Sequence, residues 1–378
     1  MADLTVEPQV SVSERSAADL DLPQGIPPLA ELYLYIAGSC NLACRHCWIV
    51  PKFMPGGENG QFLDLAYVRK AIQQAKPLGL GRVKLTGGEP MLHPQFREMV
   101  TMIHQQGLSI TIETNGTLID NEIARFMKQM FRSASVSLDG ATAATHEYMR
   151  NVSGSFERTL QGIRSLVEAG LRPQIICTLH KGNVGELEQL LTLAEKLGVS
   201  SLKLNIVQQV GRGERFSASE GLDVPEILEL GRYIEGELIP RSTIPIYLDV
   251  PKAFFSIRRL FADRGRCSIL NILGVLASGE LSMCGIGVTT PELVYGHLET
   301  DDLHHVWCNS PQLELLRERI PFQLDGICAE CIHQADCLGH CVANSFYSSH
   351  RIDSSYYFCE RAAEMGLFPE SRRRPASR

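Results

Sequence analysis

Cys40-Asn41-Leu42-Ala43-Cys44-Arg45-His46-Cys47 follows a short apolar run, Leu32-Tyr33-Leu34-Tyr35-Ile36, and the fold is read outward from it. Three thiols at Cys-x3-Cys-x2-Cys spacing, entered from a strand and left through a polar loop, can ligate a [4Fe-4S] cube and leave one iron without a protein ligand. A structural zinc site takes four protein ligands, and the next histidine after His46 is His93. His46 itself leaves a Cys3His zinc knuckle open as the alternative.

From residue 32 to about 207, short β-rich runs alternate with amphipathic helices, which is the pattern of a parallel sheet wound by crossovers. Strands are expected at 33–36, 83–86, 109–113, 134–138, 174–179 and 202–206. Helices are expected near 64–77, 94–106, 120–131, 156–169 and 185–197. In the fourth helix Phe156, Leu160, Ile163, Leu166 and Val167 fall on one stripe, and Gly170 ends it. In such a barrel the reactive groups collect at the carboxyl ends of the strands. The second strand ends in Thr86-Gly87-Gly88-Glu89-Pro90, where two glycines permit close backbone approach and Glu89 can take a cationic amino group. The third ends in Glu113-Thr114-Asn115-Gly116-Thr117 and the fourth in Ser137-Leu138-Asp139-Gly140. Asn-Gly and Asp-Gly are also ordinary turn formers. Cys177, in an Ile-Ile-Cys-Thr-Leu run, reads as a small core hydrophobe.

Taken together, the cysteine triplet and the Gly87-Gly88-Glu89 turn resemble the radical S-adenosylmethionine (radical SAM) enzymes. That resemblance implies a partial (β/α)6 TIM-like barrel, an α/β fold, in which Cys40, Cys44 and Cys47 hold a [4Fe-4S] cluster. SAM would chelate the open iron and be cleaved to methionine and a 5'-deoxyadenosyl radical. Gly87, Gly88 and Glu89 would meet the amino group of SAM, while Asn115, Ser137 and Asp139 stand at the family's sites for its ribose and carboxylate. His146-Glu147-Tyr148-Met149-Arg150, ahead of Gly154-Ser155-Phe156, is similar to a stretch of peptide-modifying members, with Glu147 in place of the usual Asp. Arg150 could make a bidentate contact to the SAM carboxylate, or be a surface arginine. His46 stands where the family often places an aromatic ring over adenine.

The remaining cysteines fall at Cys267-x11-Gly279-x4-Cys284, then Cys328-x2-Cys331-x5-Cys337-x3-Cys341, and Cys359. This resembles the seven-cysteine SPASM extension, a small cysteine-rich α+β domain. Seven thiolates can hold two further iron-sulfur clusters, one with four protein ligands and one with three. The family pattern implies a second auxiliary cluster on Cys328, Cys331, Cys337 and Cys359, and a first on Cys267, Cys284 and Cys341. No cysteine occurs in the preceding stretch 255–263, so the first cluster has an open iron unless Cys308 supplies the ligand. Sulfatase-type maturases carry an Asp directly after the position of Cys284. Here that residue is Gly285, which counts against formylglycine formation. A pair of zinc ribbons is the structural alternative.

Composition bounds the rest. Over 378 residues the net charge is -7, which disfavours binding nucleic acid by phosphate neutralisation. No apolar run is long enough to span a membrane and the N-terminus does not read as a signal peptide, so the expected location is the cytoplasm. Between Cys47 and Cys267 only Cys177 intervenes, and thiols clustered in this way indicate metal rather than a disulfide scaffold. The expected organisation is a mobile arm over 1–28, a radical SAM core over 29–222, a connecting helix and strand over 223–262 that leave the barrel, a SPASM domain over 263–365 and a solvated basic tail over 366–378. The resemblance implies a ribosomally made precursor peptide as substrate in natural-product (RiPP) maturation, crosslinked or excised, and an electron donor such as flavodoxin or ferredoxin. Only about thirty residues precede the first strand, so a separate leader-peptide-binding protein is expected. A small-molecule dehydrogenase, a sulfatase-maturase-like protein oxidase and a non-enzymatic metal-binding protein are the alternatives.

Overall fold

The computed structural model describes residues 20–55, 60–262 and 267–375. Its strands are β1 (Glu31–Ala37), β2 (Ser39–Cys40), β3 (Lys52–Phe53), β4 (Arg82–Gly87), β5 (Ser109–Thr114), β6 (Ser133–Ser137), β7 (Gln174–Leu179), β8 (Ser201–Ile206), β9 (Ile246–Asp249), β10 (Ile272–Val275), β11 (Glu280–Ser282) and β12 (Val294–His297). Ten of them form one sheet in the order β12-β11-β10-β1-β4-β5-β6-β7-β8-β9, while β2 pairs with β3. Every neighbouring pair from β10 through β1 to β9 is parallel. β11 and β12 are antiparallel additions.

The five expected helices form at Leu65–Ala75, Phe96–Gln105, Asn121–Met130, Ser155–Glu168 and Leu187–Leu197. Local chemistry sets their ends. Asp64 and Asp120 accept the first free backbone N–H groups of their helices, and Gly198 takes the left-handed conformation that ends the last one. A further helix, Ala143–Arg150, follows β6 and stops at Asn151, also left-handed.

Alternation along the strands separates two faces. Val83 and Leu85 of β4, Ile110 and Ile112 of β5, and Ala134 and Val136 of β6 are buried in the main apolar core with the helices. Each buried Val, Leu or Ile side chain among them contributes roughly 1.5–3 kcal/mol. The opposite face is polar: Tyr33, Lys84, Glu113, Lys203 and Asp249 lie on it. Lys84 pairs with Glu113 and stands 4.7 Å from the Tyr33 ring centroid, and Lys203 pairs with Asp249 at 3.5 Å. The inner face is therefore a polar lumen and not a second packed core.

Three segments differ from the sequence reading. The segment expected to leave the barrel after residue 223 contains β9, which pairs parallel with β8 and extends the sheet. β10 pairs parallel with β1 at the other side, so the cysteine-rich region continues the same sheet. Both strands find a free parallel edge, and edges attract pairing. The arm expected over 1–28 lies mostly outside the described residues. Its described end is seated, with Trp307 Nε1–H donating to the Pro27 carbonyl at 2.9 Å and Asn271 to that of Pro28 at 2.9 Å. The basic tail, expected to be solvated, is docked through residue 374: Ile332 N–H bonds the Arg372 carbonyl, Arg374 N–H bonds that of Glu330, and the Arg374 side chain reaches Gln334 at 2.7 Å. Among the described residues no helix is long and apolar enough to cross a membrane.

Candidate active site and cysteine groups

The first cysteine loop is built at the end of β1. Cys40 opposes Phe53 in the β2–β3 pair, and Cys40 and Cys44 are buried around the Leu42 side chain with Cys47 packed beside them. Leu42 N–H donates to Cys40 Sγ at 3.4 Å, and Arg150 reaches Cys44 Sγ at 3.6 Å. The end of the Ala143–Arg150 helix braces the loop, its Met149 and Arg150 carbonyls accepting the N–H groups of Arg45 and Ala43. Burial pushes the Cys40 and Cys44 thiols up, and the neighbouring sulfurs push the same way. The iron ions of a cluster would relieve that penalty, because thiolates are their natural ligands.

Gly87 and Gly88 bring the end of β4 against this loop. Gly87 has φ +130, and a Cβ on Gly88 would lie 1.9 Å from the Ser39 carbonyl oxygen. No side chain fits there. Glu89 is completely buried. Its carboxylate accepts the Thr114 hydroxyl at 2.7 Å, the Asn115 N–H at 2.8 Å and the Met91 N–H at 3.2 Å. Burial nonetheless keeps its pKa above the ordinary glutamate value. Asn115 donates to Asn41 at 2.8 Å and lies 3.9 Å from Cys40 Sγ, and Ser137 ends β6 half-buried on the lumen side.

Asp139, expected among the SAM contacts, is committed to the protein. Its carboxylate pairs with Arg150 Nε at 2.6 Å and accepts the Thr178 N–H at 2.8 Å. Burial raises its pKa, but Arg150 with His46 and His146 outweighs this and holds it below the ordinary range. Asp139 thus positions Arg150 against Cys44, and Arg150 is buried rather than a surface arginine. His46 is brought beside this pair, and its imidazole is pushed down to about 4, chiefly by burial, so it is neutral near pH 7. Its Nδ1 is buried without a hydrogen-bond partner.

Two residues in this neighbourhood were not singled out from the sequence. His180, just past β7, is 1% exposed with Nε2 unpartnered. Arg212 donates its backbone N–H to the Cys47 carbonyl at 3.1 Å, and its Nε and one Nη are buried without partners. The strand-end rule, applied one residue beyond Leu179, would have found His180. Unpartnered polar atoms around the cysteine loop are what a polar ligand such as SAM would satisfy.

The C-terminal cysteines divide into two groups. Cys328, Cys331, Cys337 and Cys359 line one pocket with an empty volume of about 310 Å³. Within it the Cys359 side chain hydrogen-bonds Cys328 and draws the Cys328 thiol down to about 7, and Cys331 Sγ accepts the His333 N–H at 3.4 Å. The other three lie together at the lumen, where the thiols of Cys267 and Cys284 both act on that of Cys341. Lys84 faces Cys267 and Cys284, and Lys203 faces Cys267. Cys308 stands apart from this trio, 4.0 Å from His304 Nδ1 and facing Arg317. Cys177 is buried in the core. Among the described residues no three His, Cys, Asp or Glu side chains converge on a single-ion site.

Residues 34–194 match the model of the radical SAM superfamily, and this stretch holds the cysteine loop, the Gly-Gly-Glu turn, Asp139 and Arg150. Residues 34–194 are thus a radical SAM domain. The chain is an enzyme of the class that uses SAM and a [4Fe-4S] cluster. This radical SAM protein is 28% identical over 330 residues to the AdoMet-dependent heme synthase of Methanosarcina barkeri, with 82% of this chain and 90% of the relative covered. It is 26% identical over 326 residues to the mycofactocin maturase MftC of Mycobacterium tuberculosis, with 83% and 78% covered. Its fold matches that of Streptococcus suis SuiB, solved with bound S-adenosylmethionine, at a TM-score of 0.70 and 17% identity over 88% of this chain and 77% of SuiB.

Proposed function

We propose that this radical SAM enzyme oxidatively modifies a ribosomally made peptide, a reading supported by its similarity to a mycofactocin maturase and by its likeness in fold to SuiB, which was solved bound to its precursor peptide. Cys40, Cys44 and Cys47 hold the cluster that SAM chelates, with Glu89, Asn115 and Arg150 around it and His46 beside it. Cys267, Cys284 and Cys341 hold a first auxiliary cluster, and Cys328, Cys331, Cys337 and Cys359 a second. The observation that carries the reading is the position of the first auxiliary trio against the same lumen as Lys84 and Lys203, because a substrate reaching the SAM site from that lumen also faces these thiols. Bound SAM supplies the hydrogen-abstracting radical, and the chain's own work is to orient the substrate and exclude water. An electron donor of the flavodoxin or ferredoxin type and a separate leader-binding protein complete the system.

The similarity to heme synthase, which extends over 90% of that relative, supports a second reading with a small-molecule substrate of the heme-precursor kind. Mass spectrometry of a precursor peptide encoded beside the gene, after anaerobic co-expression, separates the two. A loss of two hydrogens that disappears in the variant with Cys40, Cys44 and Cys47 replaced by Ala supports the peptide reading. An unchanged peptide with 5'-deoxyadenosine still formed sinks it and favours the second.

A further inference from the structure

Beside Cys284 lies a buried hydroxyl without an acceptor, and an arginine with unpartnered terminal nitrogens stands next to it. β11 and β12 pair across a bulge: Leu281 opposes Gly296 and Ser282 opposes Val294, so Tyr295 has no cross-strand partner. A bulge re-aims the side chain of its extra residue. That of Tyr295 is turned toward Cys284, and its hydroxyl is buried with no hydrogen-bond partner. Beside it Arg317 lies on Trp307, its guanidinium carbon 4.6 Å from the ring centroid. Both terminal nitrogens of Arg317 are buried and unpartnered. On the other side the Tyr35 ring closes the space next to Gly285, where a Cβ would lie 2.4 Å from the ring and 2.7 Å from its hydroxyl oxygen.

Buried donors are almost always satisfied, and a buried cation without a counter-charge is costly. Both anomalies are removed if an electronegative body is held by Cys267, Cys284 and Cys341, as an iron-sulfur cluster with three thiolate ligands would be. Lys84 and Lys203, on the lumen side, are each neutralised by a carboxylate. Among the described residues Arg317 pairs with no carboxylate; it faces Cys308 and Tyr295, and its charge reaches the trio's side through the Tyr295 hydroxyl.

We propose that Tyr295, with Arg317 behind it, poises the first auxiliary cluster: a hydroxyl turned toward Cys284, and a positive charge that backs that hydroxyl, favour its reduced state. The proposal rests on the auxiliary-cluster reading above. It makes the lumen-side group the better electron acceptor for a substrate radical, with a chemical driving force supplied by two residues that touch neither SAM nor substrate.

The test is an EPR-monitored redox titration of the full-length, anaerobically reconstituted enzyme, with iron and sulfide counted first. Y295F and R317M are each expected to shift the one-electron equilibrium of one cluster about tenfold toward the oxidised form, which is about 59 mV. R317K should keep most of the wild-type potential, and the other clusters should not move. Unchanged potentials in Y295F and R317M at full iron content overturn the proposal. Should R317M fail to assemble, Y295F, which removes one oxygen and keeps the ring, decides alone. A wild-type iron count too low for auxiliary clusters overturns the reading beneath the proposal, and the proposal with it.

Discussion

Replacing Gly88 by Ala perturbs the turn that seats the first cysteine. The new Cβ would lie 1.9 Å from the Ser39 carbonyl oxygen, 2.4 Å from its carbon and 3.1 Å from the Cys40 nitrogen. Non-bonded atoms need roughly 3 Å or more, so the Ser39 carbonyl must retreat by about 1 Å in a close-packed setting. It cannot retreat freely, because it accepts the Glu89 N–H at 2.9 Å while the Ala37 carbonyl accepts the Gly88 N–H at 2.6 Å. Overpacking costs about 1–3 kcal/mol and a weakened hydrogen bond about 0.5–1.5 kcal/mol, so stability should fall by roughly 2–4 kcal/mol. Activity should fall further. The displacement acts on Cys40 and Glu89 while Cys44 stays braced by Arg150, and a misplacement of about 1 Å can cost about a hundredfold in rate. The assay is iron content and 5'-deoxyadenosine formation after anaerobic reconstitution, with G185A as control, since nothing lies within 4 Å of a Cβ at Gly185. Wild-type iron content and SAM cleavage in G88A would refute the reasoning.

Two other perturbations follow from the Asp139–Arg150 pair. D139N leaves the buried Arg150 without its counter-ion, which should cost roughly 3–5 kcal/mol and lower the urea midpoint; an unchanged midpoint contradicts the structural role given to the pair. His146, completely buried, accepts the Asp139 N–H at 3.2 Å and is pushed down to about 4, first by burial and then by Arg150. Its unfolded value is about 6.5, so between pH 6.5 and 4 the unfolded chain binds a proton that the folded chain does not. The stability contribution is full above about pH 6.5 and is lost as pH falls toward 4. Thermal melts should therefore decline more steeply with acid for wild type than for H146N, and parallel declines count against the assignment.

The order of strands and helices was legible because periodicity and capping are local: Asp64, Asp120 and Gly198 mark helix ends within a turn of themselves. The cysteine loop and the Gly-Gly-Glu turn were legible for the same reason, since each is short enough for its spacing to constrain its geometry. His180 and Arg212 were not. Neither belongs to a short motif, and they come near His46 only because β7 and the segment after β8 end on the same side of the sheet.

By itself the sequence determined a radical SAM barrel with cysteines enough for further clusters, through signals that act over a few residues. Only the tertiary structure decided that Asp139 is spent on Arg150, that β9 and β10 continue the sheet, and that the tail docks beside the second cysteine group. It also decided that the Tyr295 hydroxyl stands beside Cys284 without a hydrogen-bond partner, with Arg317 next to it. The physical reason is that a buried charge or donor is defined by what surrounds it, and its surroundings come from strands and helices distant in the chain.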